Sequence, residues 1–115
     1  MNEAKRRGDA GERMAARALQ KKGYRILERN FTARRHEIDL IAKDGDTVVF
    51  VEVKTRSEGG FGLPCEAVTV QKQRFLRLAA LSYLKQNNLL ERAARFDVVE
   101  VYRDSGQIRH IENAF

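Results

Sequence analysis

The 115-residue chain has one cysteine, one proline and no tryptophan, and no apolar stretch nears the roughly 18 residues of a membrane span. A lone Cys65 excludes a disulfide framework and a zinc site of the usual Cys/His kind, and it favours a reducing cytoplasm. Met1 to Arg7 is polar and leads into no apolar core of a signal peptide, so a soluble cytoplasmic protein without a membrane partner is expected. Ser57, Ser82 and Ser105 lie in no G-x-S-x-G turn. No glycine-rich loop is followed by Lys-Ser/Thr, and no local signature joins Cys65 to His36 or His110. Serine hydrolase, P-loop and Cys-His chemistries are thereby set aside.

Positive charge, by contrast, is plentiful. A net charge of +6 and an isoelectric point near 9.8 suggest a polyanionic partner. The length suits one domain, residues 1–115, and no repeat, low-complexity tract or linker divides it. Helical periodicity runs from about Asp9 to Lys22 and from Thr69, a plausible N-cap, to Gln86. Strands are expected at Tyr24 to Asn30, Glu37 to Ala42, Thr47 to Lys54, Arg95 to Tyr102 and Gln107 to Asn113, with a short helical turn near Leu89 to Ala94. Ser57 to Cys65 is a glycine-rich loop with the only proline, Pro64, and serves either as a lip beside a substrate or as a plain connector. The order is αβββαββ, an α/β fold.

Chemistry concentrates between Glu37 and Lys54. Asp44-Gly45 between apolar β-branched runs predicts a hairpin in which Lys43 faces Asp46, Asp39 faces Phe50, and Glu37 faces Glu52. The side-chain period of two then puts Glu37, Asp39, Glu52 and Lys54 on one face, with Ile38, Leu40, Val49, Val51 and Val53 on the other. Like charges on so apolar a hairpin are unfavourable unless neutralised. Oxygen-only ligands suit magnesium or manganese, and Lys54 could orient an attacking water or offset charge developing on phosphorus. On this reading Glu52→Gln should relieve repulsion and stabilise the metal-free protein. A solvated surface hairpin with a Glu-Lys pair is the plainer alternative.

Two more charges share inward helical stripes. Glu12 falls with Ala15, Ala16 and Leu19, while Arg13, Arg17 and Gln20 face away. Lys72 falls with Leu76, Ala79 and Tyr83. Glu12 is otherwise a first-turn acid at the helix dipole, and Lys72 otherwise a snorkelling lysine.

These residues carry a resemblance. Gly11-Glu12, Glu37-Ile38-Asp39-Leu40-Ile41, Phe50-Val51-Glu52-Val53-Lys54-Thr55-Arg56, Lys72, Arg95-Phe96-Asp97-Val98-Val99 and Asn113-Ala114-Phe115 resemble the YraN family of small, largely uncharacterised bacterial proteins. More broadly the chain is similar to the PD-(D/E)xK nuclease superfamily and, in its short architecture, to archaeal Holliday-junction resolvases. The resemblance implies a restriction-endonuclease-like core, a mixed sheet flanked by helices. It matches Asp39 to the motif aspartate, Glu52 and Lys54 to the E-x-K pair and Glu12 to the first-helix acid, and it makes the Val53 carbonyl a further metal contact. The family usually has glycine before Glu37; His36 stands there instead, most simply as an exposed residue at a strand start.

The leading expectation is a Mg2+ (or Mn2+) dependent endonuclease or structure-selective DNA phosphodiesterase. Asp39, Glu52, Val53 and Glu12 would hold the metal, Lys54 would act on the water, and Lys72 would touch the phosphate. Glu37 is either a supporting acid or solvent-facing. Arg34, Arg35, Arg56, Arg74 and Arg77 form a candidate phosphate track, with Arg29 beside the hairpin entrance. Phe31 and Phe61 are stacking candidates, though loop aromatics more often pack on their own domain. A catalytically silent nucleic-acid-binding module on the same fold is the alternative, and a protein-interaction role comes third. Branched or junction DNA and a homodimer are the expected partners.

Overall fold

The computed structural model describes residues 3–57 and 68–115. Helix α1 runs Glu3–Lys21, earlier at its start than the periodicity suggests. It ends in a Schellman motif: Gly23, at φ 92°, donates to the Gln20 carbonyl at 2.9 Å, and Tyr24 donates to that of Leu19 at 3.0 Å. Strands β1 (Arg25–Ala33), β2 (His36–Asp44) and β3 (Thr47–Arg56) follow. Then come α2 (Val70–Gln86), β4 (Ala94–Tyr102) and β5 (Ile108–Ile111). The expected helical turn after α2 is only a turn, closed by Arg92 N–H on the Leu89 carbonyl at 3.0 Å. Most of the glycine-rich loop, with Phe61, Pro64 and Cys65, lies outside the described residues.

The sheet order is β1-β2-β3-β4-β5, antiparallel except for the parallel pair β3 and β4. Parallel neighbours need a crossover, and α2 provides it. The two helices cover opposite faces. Ala15, Ala16 and Leu19 of α1 pack with Leu40, Ala42, Val49, Val51, Val99 and Val101. Leu76, Ala79, Ala80 and Tyr83 of α2 pack with Ile41, Val48, Phe50 and Val98. Burial on both faces is why β3 reads as a continuous apolar run rather than an alternation. No described helix is long and apolar enough to cross a membrane.

The β2–β3 register differs from the expected one by two residues. Asp44 pairs with Thr47 and Leu40 with Val51, so the turn is Gly45-Asp46. Gly45 at φ 59° takes the first central position of a type II′ pattern, which spares Asp44 a positive φ. A slip of two keeps every side chain on its face and changes only its partner: Asp39 falls in line with Glu52, not Phe50. Two face assignments fail. Ile38 joins the α2-side cluster and Glu37 turns to Glu12 of α1, because β2 leaves β3 beyond Leu40 and the alternation breaks there.

Candidate metal and phosphate site

The site lies where β2 splays from β3. Past the Leu40–Val51 pair, the Asp39 side chain takes over from the backbone ladder, and its Oδ2 accepts from the Val53 N–H at 2.8 Å. In an extended strand the N–H and C=O of one residue point the same way, so the Val53 carbonyl also faces β2. From the α1 side, Gly11 permits a close approach: a Cβ there would lie 2.5 Å from Thr55 Oγ1. That approach delivers the next residue, Glu12. Carboxylate oxygens of Glu12, Glu37 and Asp39 lie within 4.8 Å of one another.

Glu37, uncertain from sequence, thus joins the acids. Asn30 joins them too. It occupies β1 between the Arg29–Leu40 and Phe31–Ile38 pairs, opposite Asp39, with φ 53°. Oriented to satisfy its neighbours, its amide nitrogen donates to Glu37 Oε1 at 2.8 Å and to Glu12 Oε2 at 2.9 Å. Sequence gave no signal for this beyond asparagine's tolerance of left-handed backbone. A cleft of about 240 Å³ lined by Glu12, Arg13, Arg29 and Asn30 opens here. A larger hollow of about 530 Å³, beside Lys85 and Arg92, lies at the far end of α2, away from the acids.

Glu52 is buried and engaged differently. Its Oε1 accepts from Lys72 Nζ at 2.7 Å and lies 3.5 Å from Lys54 Nζ. The inward stripe of α2 therefore aims Lys72 at Glu52, with Thr69 capping the helix one turn earlier through the Lys72 N–H at 3.1 Å. Burial pulls the Lys72 ammonium down, but the hydrogen bond and charge of Glu52, with Asp39 adding, outweigh it and hold it above ordinary lysine. Asp39 goes the other way from a surface carboxylate. Burial, then the charge of Glu52, with Glu12 and Glu37 adding, push it up to about 7 against the pull of the Val53 N–H. Metal-free Asp39 is half protonated near neutral pH.

Among the proposed phosphate contacts, Arg34 and Arg35 form the exposed β1–β2 turn, at φ 52° and 68°. A type I′ turn prefers Asn-Gly, so two arginines there carry strain of roughly 1 kcal/mol each. Arg56 pairs through Nε with buried Glu100 at 3.1 Å. Arg74 is exposed, while the Arg77 guanidinium lies 5.5 Å from the Phe96 ring centroid and 5.9 Å from that of Phe115. His36 is not a free surface residue: its ring stacks on Phe75 of α2 at 4.1 Å and 9°. Phe31 packs edge-on against Tyr83 at 5.2 Å, inside its own domain.

The family model of an uncharacterised protein family, UPF0102, matches residues 11–101. A UPF0102 protein of Geobacter metallireducens is 50% identical over 111 residues, covering 94% of this chain and 90% of its own. One from Clostridioides difficile is 47% identical, covering 96% and 97%, and one from Alkaliphilus oremlandii is 49% identical, covering 96% and 98%. The match spans α1 through β4 and takes in the residues that build the site, so the chain belongs to the uncharacterised protein family UPF0102, the YraN family.

Proposed function

We propose that this protein is a divalent-metal-dependent phosphodiesterase acting on DNA. The observation that carries this reading is the meeting of four carboxylates and two lysines, drawn from α1, β2, β3 and α2, at one splayed strand end. The donor chemistry fits the group: Glu12, Glu37 and Asp39 offer hard oxygen ligands within 4.8 Å of one another, the preference of magnesium or manganese. Asp39 with Glu12 and Glu37 would hold the ion, joined by Glu52 and the Val53 carbonyl. Bound there, the ion would neutralise phosphate charge and make water acidic enough to attack at neutral pH.

The protein's own residues supply the rest. Lys54 and Lys72 place two cations on the Glu52 side of the acids, where they would offset charge growing on a phosphate held by the ion. Lys54, the more loosely held of the two by Glu52 at 3.5 Å, orients the attacking water. Lys72, held by Glu52 at 2.7 Å, meets the scissile phosphate. Arg34, Arg35 and Arg74 are exposed cations that would hold flanking phosphates without reading sequence. Cutting a symmetric branched substrate would use two sites and hence a homodimer, for which light scattering with and without four-way DNA is the check.

The test is cleavage of single-stranded, duplex, flap and four-way DNA with magnesium or manganese. Activity abolished in Glu52→Gln supports the assignment. Salt-dependent binding without cleavage by wild type points to the second reading, a silent nucleic-acid-binding module. That reading draws on the same Glu52–Lys72 pair, since Glu52 already has its charge balanced without a metal.

A further inference from the structure

One buried charge near the site has no part in the chemistry above. Glu100 on β4 is 1% exposed, on the face where its neighbours Phe96 and Val98 are apolar core. Its Oε2 accepts from Arg56 Nε at 3.1 Å, its Oε1 from the Tyr102 hydroxyl at 3.4 Å, and Arg109 Nη1 approaches to 4.0 Å. An apolar side chain of similar volume usually serves stability as well as a buried ion pair does. The geometry of the pair says what the charge is for.

Arg56 and Lys54 share a face of β3, two residues apart. The parallel register sets Arg56 beside Tyr102 and Lys54 beside Glu100. Arg56 therefore reaches back along β4 by one step, past its own register partner, to the level of Lys54. Among the described residues it spends its Nε–H on Glu100. No other described residue takes either Nη group, which leaves both for a ligand. We propose, resting on the phosphodiesterase reading, that Glu100 is a positioning residue: it draws the Arg56 guanidinium toward Lys54 and fixes it edge-on, so that its Nη groups grip the phosphate next to the one being cut.

Simple electrostatics and positioning predict opposite signs, which makes the idea testable. Removing a negative charge near a DNA track should tighten binding, whereas loosening a preorganised arginine should weaken it. The measurement is fluorescence anisotropy of a short labelled DNA duplex across a salt series. Glu100→Met is expected to bind about tenfold more weakly and to flatten the log–log salt slope by roughly one, as Arg56→Ala does, with the double variant no weaker than Arg56→Ala. Glu100→Gln keeps an acceptor for Nε and should bind at least as well as wild type. Arg56→Lys, at a half-exposed position that does not threaten folding, should lose most of what Arg56→Ala loses, because an ammonium cannot hold Glu100 and present two further nitrogens in a fixed fork. Tighter binding by Glu100→Met, additive losses in the double variant, or wild-type affinity in Arg56→Lys would overturn the proposal. Wild type that binds no DNA at low salt removes the phosphodiesterase reading and this one with it; wild type that binds while Arg56→Ala binds equally well overturns this one alone.

Discussion

The Val53 N–H donates to Asp39 Oδ2 at 2.8 Å, so a carboxylate completes the sheet at the point where β2 leaves β3. Asp39 thus has a structural bond as well as its proposed part in holding a metal, and the two can be separated. Asp39→Asn keeps an acceptor for Val53 while losing the charge. It should fold and fail to bind magnesium, Asp39→Ala should also fail and be less stable, and Lys54→Ala should bind metal but not cleave. Calorimetric titration of the three variants decides this, and wild-type metal affinity in Asp39→Asn removes the assignment.

Asp39 also sets a pH dependence. It titrates near 7 in the folded protein against an ordinary 3.8, so between those values the folded chain keeps a proton that the unfolded chain has lost. Metal-free stability from this group therefore falls as pH rises through that window and levels off above it. The stability of Asp39→Asn relative to wild type in EDTA should therefore rise by about 2 to 3 kcal/mol between pH 5 and pH 8. Denaturant melts at the two pH values test it. A difference that does not change with pH would mean that Asp39 is ionised throughout.

The pairing of Glu52 reverses one expectation drawn from sequence. Glu52→Gln was expected to relieve repulsion, but Glu52 sits 2.7 Å from Lys72 and 3.5 Å from Lys54, so the substitution strands two cations. In EDTA the variant should be less stable than wild type by roughly 1 to 2 kcal/mol, modest because the Lys72 side chain is 43% exposed. If magnesium binds with a dissociation constant of about 1 mM, about 10 mM ion should stabilise wild type by roughly 1.4 kcal/mol, a few degrees in Tm. Glu52→Gln should gain less. Thermal melts of both proteins in EDTA and magnesium at matched ionic strength are the check, and equal gains would argue against a metal held by Glu52.

Gly11 predicts a coupled pair. Its missing Cβ makes room for Thr55 Oγ1, so Gly11→Ala should displace α1 and Glu12, with a loss of roughly 1 kcal/mol and of metal affinity. In a Thr55→Ala background the same change should be neutral or stabilising, since alanine favours the helix by up to about 1 kcal/mol. Equal effects in both backgrounds would exclude the steric account.

The strained arginine turn predicts a trade. Replacing Arg34-Arg35 by Asn-Gly suits a type I′ turn and should raise stability by about 1 kcal/mol. It should also weaken DNA binding and flatten the salt slope by roughly two. Unchanged binding would release these arginines from the phosphate track.

Much of this was written in local patterns. The order of elements follows from periodicity and turn residues, and Thr69 caps α2 as its position suggests. Glu52 and Lys54 share a face whatever the turn assignment, because the alternation of their own strand sets it. Local rules could not choose between Asp44-Gly45 and Gly45-Asp46, as both place glycine in a tight hairpin. They also could not say which acids meet. Glu12, Glu37 and Asn30 come together only through the close approach of α1 that Gly11 allows and the splaying of β2 from β3, and Glu52 meets Lys72 only because α2 covers the opposite face of the sheet. Side-chain direction is a property of an element's own period, fixed by residues two, three or four apart; the partner a charge finds depends on how distant elements pack, and that is decided by the core as a whole.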